Sequence, residues 1–579
     1  MYFVKKFKPF ILIVLLCAPF AAAEDPGPRS VYRFPLDHPV YGELRDLLRS
    51  AGQPLYSWSP PFDANEIATF LEPLDPEALD PAERALYERI HSRLGGRQEG
   101  RDEGLDAGQD RALFEEGLFA FDLAPSLSLE GRFRSDDTIP WRGRARDETP
   151  LLALPMDFLW AGRFHAALDL DIRNAPAPWA NAEGPVDSNI PWPPTEVDLS
   201  VPYRAFLSAG GSWWTFALGR DLLDYGAGKS GNLAISANPD YYDFARVSFF
   251  SKSLRLSGLV SQLPLFMDFL NVADIYDENN SGIDLNKKVS NRYLYYSRLD
   301  LRLFSRLGLS IGQGIIVGDA PLDLRFINPF LIYHSQWPWN NYPQESITPD
   351  TGDSFTSSLV GSLFTLDLDL ALPAGFAAYA LYAMNEFTTG TERGIYGNNS
   401  TPDSIVILLG LEWVALLDAG RLSIAFEGLW GSPYLYLLSS PYASFVWMNR
   451  NSALYHPDCQ TAWLGHPYAR DSLYFALDVR FEEPRRSWGA VASWQLKGEH
   501  ADLVYDYVKT VEAASLLAPS GVVEHNLSLK LMLEWTLLSY LSLGGSVDLY
   551  GIVNRGHVVA ATACGVQAAL HISWKPLSR

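Results

Sequence analysis

Three things are scarce in this 579-residue chain, and each scarcity excludes something. Cysteine occurs three times, at Cys17, Cys459 and Cys564. A chain of this length buries enough surface to fold without staples, so a disulfide-built scaffold is excluded. The one His/Cys cluster, His456, Cys459 and His466 in "HPDCQTAWLGH", lacks paired ligand spacing, so no metal and no cofactor is expected. Positive charge is short as well: 46 Lys and Arg stand against 68 Asp and Glu, a formal net charge of −22. Such a chain repels nucleic acid. Long apolar runs are the third lack. Beyond residue 23 nothing approaches the roughly 18 apolar residues of a membrane helix.

A phosphate-binding loop is missing too, despite a look-alike. "DYGAGKSGN", Asp224 to Asn232, contains Gly228-Lys229-Ser230, but the first glycine of a P-loop would fall at 223, which is Leu223. The stretch continues into "GNLAISANPDYYDF", where Asn238-Pro239 signals a turn and not a helix. No nucleotide is expected there. Gly226 and Gly228 read as a tight turn and Lys229 as a solvated loop cation.

The N-terminus has what the rest lacks. Lys5, Lys6 and Lys8 precede an apolar run from Phe10 to Leu16, with Ala21 and Ala23 as small residues beyond it. This is the pattern of a secretory signal peptide, residues 1–23. Leu16 stands before Cys17 where a lipoprotein box has a small residue. Cleavage after Ala23 removes three lysines and no acid, taking the charge from −22 to −25.

Residues 24–112 read as a helical, periplasmic segment with a linker. "PVYGELRDLLRSAG" puts Val40, Leu44, Leu47 and Leu48 on one face. Asp63 with Glu66, and Asp80 with Glu83 after Pro81, are capping boxes. Ile90 and Leu94 extend an apolar stripe that Gly95-Gly96 ends, with His91 on the solvated side, and the charged linker "RQEGRDEGLDAGQDR" follows.

From about residue 113 the hydrophobic period is two. "LFAFDLAPSLSLEGRF", "RFHAALDLDIR", "EVDLSVPYRAFL", "NRYLYYSRLDLRLF", "LFTLDLDLAL", "HNLSLKLMLEW" and "LSLGGSVDLYG" all alternate apolar with Asp, Arg, Ser or Lys over about ten residues. That length crosses a bilayer as a tilted strand. Connections alternate as well. Short ones lie at 161–163, 209–212, 252–253, 305–306, 373–375, 417–420, 482–486 and 536–539. Longer ones lie near 134–150, 174–196, 221–244, 264–291, 318–358, 388–403, 431–471 and 510–524, with a brief one near 552–556. Tight turns at one end and long loops at the other are the plan of an outer-membrane barrel of about 18 strands, residues 113–579. This count treats residues 487–509 as one bulged strand, although "KGEH" offers a further turn. "GVQAALHISW" alternates like a closing strand, though "KPLSR" follows its last aromatic.

The run "LGRDLLDYGAGKSGNLAISANPDYYD" resembles the capsule-assembly Wzi family. The resemblance rests on Gly219-Arg220, on the turn Tyr225-Gly226-Ala227-Gly228, and on Leu233, Ser236 and Asn238, with Ala227 where Pro is usual and Tyr225 where Trp is common. In the same order come Asn328-Pro329 after a strand–turn–strand unit, then "FEGLWGSPYLY" with Glu427, Pro433, Tyr434 and Tyr436, then "WLGHPYARDSLYFALDV" with Gly465, His466, Pro467 and Asp471. The resemblance implies an 18-stranded outer-membrane barrel with a small periplasmic helical bundle. It implies a lectin-like, non-enzymatic role that holds capsular or other surface polysaccharide, with a monomer in outer-membrane lipid.

Sugar rings pack their C–H faces on aromatic side chains while polar groups fix their orientation. The glycan-binding expectation therefore falls on Trp337, Trp339, Tyr342, Trp463, His466, Tyr434, Tyr436, Arg220, Lys229 and Asp471, with Trp192, Trp447 and Tyr468 in similar loops. Each has a plainer reading. Rim aromatics also suit the membrane interface, and Arg220, Glu427 and Asp471 also suit a charge network bracing the lumen. Two other functions stay open on the residues alone. One is a porin, because large barrels leave a lumen. The other is a hydrolase, although no G-x-S-x-G or H-E-x-x-H occurs.

Overall fold

The computed structural model describes residues 31–95, 114–116, 118–175, 184–193, 197–198, 201–263, 291–318, 320–333, 344–347, 355–358, 360–387, 403–437, 443–450, 459–501 and 517–576. The segments expected to be a signal peptide and a linker, residues 1–23 and 96–112, and Trp337, Trp339 and Tyr342 lie outside them.

The strands are β1 (Phe119–Leu123, continuing as Ser126–Arg134), β2 (Leu152–Trp160), β3 (Phe164–Ile172), β4 (Ala205–Gly210), β5 (Trp214–Asp221) and β6 (Tyr242–Phe250). They continue as β7 (Leu254–Gln262), β8 (Arg292–Leu303), β9 (Leu307–Gly318), β10 (Val360–Ala371), β11 (Phe376–Glu386) and β12 (Ser404–Leu417). The last six are β13 (Gly420–Gly431), β14 (Ser472–Glu482), β15 (Arg486–Lys497), β16 (Glu524–Leu538), β17 (Leu541–Val553) and β18 (Thr562–Trp574). Each pairs antiparallel with the next, and β18 returns to β1 through Trp574↔Leu127 to Gln567↔Arg134, closing an 18-stranded barrel. Closure matters because an open edge in lipid would leave N–H and C=O groups unpaired.

Alternation sets which side faces lipid. On β12, Leu409 and Leu411 point outward at 58% and 60% exposure, while Glu412 between Leu411 and Trp413 points inward at 2%. Leu527, Leu529, Leu531 and Leu533 make the same outward row on β16. Apolar side chains outside and polar ones inside is the outer-membrane arrangement, inverted from a water-soluble sandwich.

Two strand boundaries differ from the sequence reading. β15 stops at Lys497, and the residues after it in "KGEH", 498–500, leave the strand instead of continuing it. The strand expected from "EVDLSVPYRAFL" starts only at Ala205, after Pro202, which has no N–H to give a ladder. The eight tight turns are present, so the strand count stands.

The N-terminal helices are α1 (Val40–Ser50), α2 (Ala64–Leu71) and α3 (Pro81–Gly95). Both capping boxes form. Glu66 N–H donates to Asp63 at 2.8 Å and Glu83 N–H to Asp80 at 2.8 Å. These helices do not stand apart from the barrel. They fill its short-turn mouth, and one core joins Leu44, Leu47, Trp58, Phe62 and Phe70 to wall residues Leu381 and Leu408 and on to Tyr436, Phe445 and Trp447 at the other end. Insertion explains why α1 buries charge as well as its apolar face. Arg49 donates to Asp369 at 2.7 Å and to Glu412 at 2.8 Å, and Arg45 donates to Glu412 at 2.8 Å. Glu66 of α2 takes ion pairs from Arg246 and Arg255. Gly308 on β9 makes room for the following segment, since a Cβ there would lie 2.7 Å from Tyr56 Cα.

Candidate functional site

The long loop at 222–241 turns into the lumen instead of rising from the rim. Its backbone meets the plug: Asp224 N–H donates to Pro60 O at 3.1 Å and Gly226 N–H to Trp58 O at 2.8 Å. Gly226 sits at φ +137°, where an added Cβ would come within 2.3 Å of Asn232 Oδ1. That amide organises the turn, accepting from Gly228 N–H at 3.0 Å and donating to Asp224 at 2.7 Å. Burial pushes the Asp224 carboxyl up to about 6, against the pull of its Asn232 hydrogen bond.

Lys229 is not a solvated cation. Its ammonium lies 3.0 Å from Glu412, the carboxylate that also binds Arg45 and Arg49. The Lys229 and Ser230 N–H groups donate to the two oxygens of Glu427 at 2.7 and 2.8 Å. Tyr379 donates to Glu427 at 2.7 Å, and its ring crosses Gly410 to do so, where a Cβ would lie 2.1 Å from the ring. The look-alike P-loop thus wraps a protein carboxylate with its backbone N–H groups.

The described parts of a second loop, residues 432–437, 443–450 and 459–471, close over the first. Tyr436 takes φ +65°, which costs a non-glycine residue on the order of 1–3 kcal/mol. Three hydrogen bonds hold it there: its N–H to Asn385 at 2.8 Å, its hydroxyl to Leu233 O at 2.6 Å, and His466 N–H to that hydroxyl at 3.2 Å. Burial raises the Tyr436 hydroxyl above its ordinary range. Asp471, at φ +46°, accepts from Ser520 N–H at 2.9 Å and His500 N–H at 3.0 Å, tying this loop to the one at 498–523.

His466 is fully buried, and burial lowers its imidazole to about 3, so it is neutral. Its Nδ1 accepts from Tyr468 N–H at 3.1 Å, which leaves the proton on Nε2, 3.0 Å from Ser230 Oγ. The ring therefore donates to Ser230. It cannot take that hydroxyl's proton, so this pair does not work as nucleophile and general base.

The lid brings together five of the residues expected to bind glycan: Tyr434, Tyr436, Trp463, His466 and Asp471. Tyr436 stacks on Trp463 at 6.0 Å, Tyr468 lies 4.8 Å from Tyr474, and Tyr434 lies 6.2 Å from His500. Only part of this cluster reaches solvent. Tyr468 is 39% exposed and Trp463 and His500 are half-buried, whereas Tyr434, Tyr436, His466 and Asp471 are buried. Lys229 lies beneath them. Trp447, expected on a loop surface, is 2% exposed and packs on Tyr241 at 5.3 Å. Arg220 sits apart on β5, stacked 3.7 Å over Tyr241 and bonded to Asp243 at 2.7 Å. Trp192 is exposed.

Sequence reasoning missed Glu412, Tyr379, Asn232 and His500. Glu412 left a signal, as a lone acid in the inward phase of "LLGLEWVALL". The others become visible only when loops meet. Among the described residues, no group of three or more His, Cys, Asp and Glu is placed to hold a metal ion.

A cavity of about 1290 Å³ opens at the short-turn end, between α1 and α3 and the turns after β12, β14 and β16. Of its described lining residues only Lys229 belongs to a long loop.

No family model and no curated protein matches this sequence. Among solved structures, the chain is similar to Wzi of Escherichia coli, an outer-membrane protein involved in group 1 capsule assembly and a carbohydrate-binding β-barrel. The likeness covers 94% of this chain and 99% of that one at 12% identity, with a TM-score of 0.52. OccD3 of Pseudomonas aeruginosa, at 12% identity over 82% of this chain and 95% of its own, reaches 0.38. The channel DcaP of Acinetobacter baumannii, at 10% identity over 80% and 99%, reaches 0.34. Only the first score supports an argument, and at that identity it concerns the fold.

Proposed function

We propose that this protein is a plugged outer-membrane barrel that retains surface polysaccharide at its long-loop mouth and is not an enzyme. The filled lumen carries this reading. One core runs from α1 to the lid, which turns the interior into a support for the mouth rather than a path through it. Above that support Trp463, Tyr468 and His500 reach solvent, ring faces with polar edges of the kind that suits sugars, while Arg470 lies buried 5.6 Å from the Trp463 ring and donates to Pro433 O. The likeness to a carbohydrate-binding barrel agrees with it. Trp337, Trp339 and Tyr342 belong to the same proposal on sequence grounds, and Arg220 flanks the mouth. Lys229, Tyr434, Tyr436, His466 and Asp471 then shape the lid instead of touching sugar.

The decisive measurement is binding of the cell's own surface polysaccharide to the purified protein in nanodiscs. Affinity that falls in Trp463→Ala/Tyr468→Ala or in Trp337→Ala/Trp339→Ala supports the reading and assigns the loop. Absence of binding by the wild type ends it. A second reading, a gated solute channel, draws on the large cavity at the short-turn end. Planar-bilayer recordings separate the two, because steady conductance steps from the wild type favour the channel.

A further inference from the structure

The described residues next after β9 do not rise into solvent. These, residues 320–333, fold down over the outside of the barrel. Strand parity establishes the side. Ser310 on β9 bonds inward to Tyr56 O, and Arg298 on β8 bonds inward to Asp367, so Gln313, Ile315 and Val317, and likewise Tyr295 and Ser297, point outward. Outward residues elsewhere on this wall are bare, such as Ile311 at 40% and Phe364 at 38% exposure. Tyr295, Ile315 and Val317 are instead 0–1% exposed, packed under Phe326 and Tyr333.

Polar bonds fasten this flap. Gln313 donates its side-chain N–H to Leu331 O at 2.7 Å and accepts from Tyr333 N–H at 3.1 Å. Asp323 N–H donates to the Tyr295 hydroxyl at 2.7 Å, and Tyr333 donates to Phe326 O at 2.7 Å. The wall beneath thus carries an amide and a hydroxyl, those of Gln313 and Tyr295, among the apolar Ile315 and Val317. An amide facing hydrocarbon without partners is strongly disfavoured, and the flap supplies the partners. Its other face is mainly apolar, with Leu324 73% exposed, Phe330 81%, Ile332 68% and Ile327 43%; Arg325, paired with Asp323 at 2.6 Å, and Asn328 are exposed beside them.

Height identifies what that face meets. Gln313 lies six residues beyond Leu307, the short-turn end of β9. At about 3.3 Å per residue and a tilt near 40°, that is roughly 15 Å up the wall, and Val317 is roughly 25 Å up. The apolar band of such barrels is about 25 Å tall. The flap therefore covers the upper part of the band and is continuous with the lipid-facing surface at Ile311 and Phe364.

We propose that residues 320–333 form a flap embedded in the outer leaflet, with Leu324, Ile327, Phe330 and Ile332 in contact with lipid acyl chains. The flap covers the Gln313 amide and the Tyr295 hydroxyl with a mainly apolar surface and fixes the depth of the barrel on that side.

A nitroxide at Phe330→Cys, on full-length protein lacking its native cysteines and reconstituted in phospholipid vesicles, tests this. Leu409→Cys on β12 serves as the lipid reference and Glu88→Cys on α3 as the aqueous one. The expected result is oxygen accessibility high and nickel-chelate accessibility low, matching Leu409 and several-fold different from Glu88 in their ratio. A ratio matching Glu88 overturns the proposal, because the flap then lies in water. Spin–spin broadening that disappears on dilution with unlabelled protein also overturns it, because a second copy then covers the flap. Heat-modifiable migration on gels verifies folding. If Phe330→Cys does not fold, Ile332→Cys is read against the same references.

Discussion

Replacing Glu412 by Gln removes one negative charge and nothing else from the junction of plug, wall and loop. Glu412 accepts from Arg45 at 2.8 Å, from Arg49 at 2.8 Å and from Lys229 at 3.0 Å, and its side chain is fully buried. In the variant Arg49 keeps Asp369, while Arg45 and Lys229 each lose the carboxylate they are paired with. Removing one partner of a buried ion pair costs about 3–5 kcal/mol, because the remaining charge cannot recover its water. At 1.4 kcal/mol per factor of ten, local opening of α1 becomes roughly 10²–10⁴-fold more populated. Hydrogen exchange reads that population directly. Amides of Val40–Ser50 are expected to exchange faster by that factor, while strand amides far from β12 keep their protection. Glu534→Gln at the short-turn end is the control, since that side chain is 55% exposed and its loss is worth about 0.5 kcal/mol or less. Exchange of α1 at the wild-type rate in Glu412→Gln would refute the view that this carboxylate fastens the plug.

Gly226→Ala is expected to loosen the inward loop, since its φ is +137° and a Cβ would also come 2.8 Å from Leu381; a loss of at least about 1–3 kcal/mol should lower the melting temperature of the folded band. Acid should open the lid. His466 has a folded pKa of about 3 against an ordinary 6.5, so its contribution is complete above about pH 6.5 and is lost as pH falls toward 3. At pH 4.5 the loss is about 3 kcal/mol, visible as faster exchange over residues 459–471, and His466→Gln should flatten that dependence. For the binding surface, losing one stacking ring is worth about 1 kcal/mol, so Trp463→Ala/Tyr468→Ala should weaken polysaccharide binding by roughly tenfold or more, read by calorimetry. Unchanged affinity would move the site to the loop containing Trp337 and Trp339.

Much of the barrel was legible because its code is local. Side chains alternate along a strand, so a two-residue period in "LFTLDLDLAL" or "HNLSLKLMLEW" reports its two faces without any knowledge of partners. The capping boxes at Asp63 and Asp80 were readable for the same reason, each being complete within four residues. The site was less legible. Glu412, Tyr379 and Asn232 act on one loop from three parts of the chain, and no spacing connects them.

The sequence by itself therefore determined a closed outer-membrane barrel, its alternating turn lengths and its N-terminal helices, all set by short-range periodicity and by the solvent on each side. Only the tertiary structure decided where the loops go. The long loop at 222–241 folds inward because Glu427 and Glu412 await its N–H groups and its lysine inside the lumen. Residues 320–333 fold outward because Gln313 and the Tyr295 hydroxyl need partners on the lipid side. A buried polar group must be paired, and which distant segment pairs with it is settled by closure of the barrel.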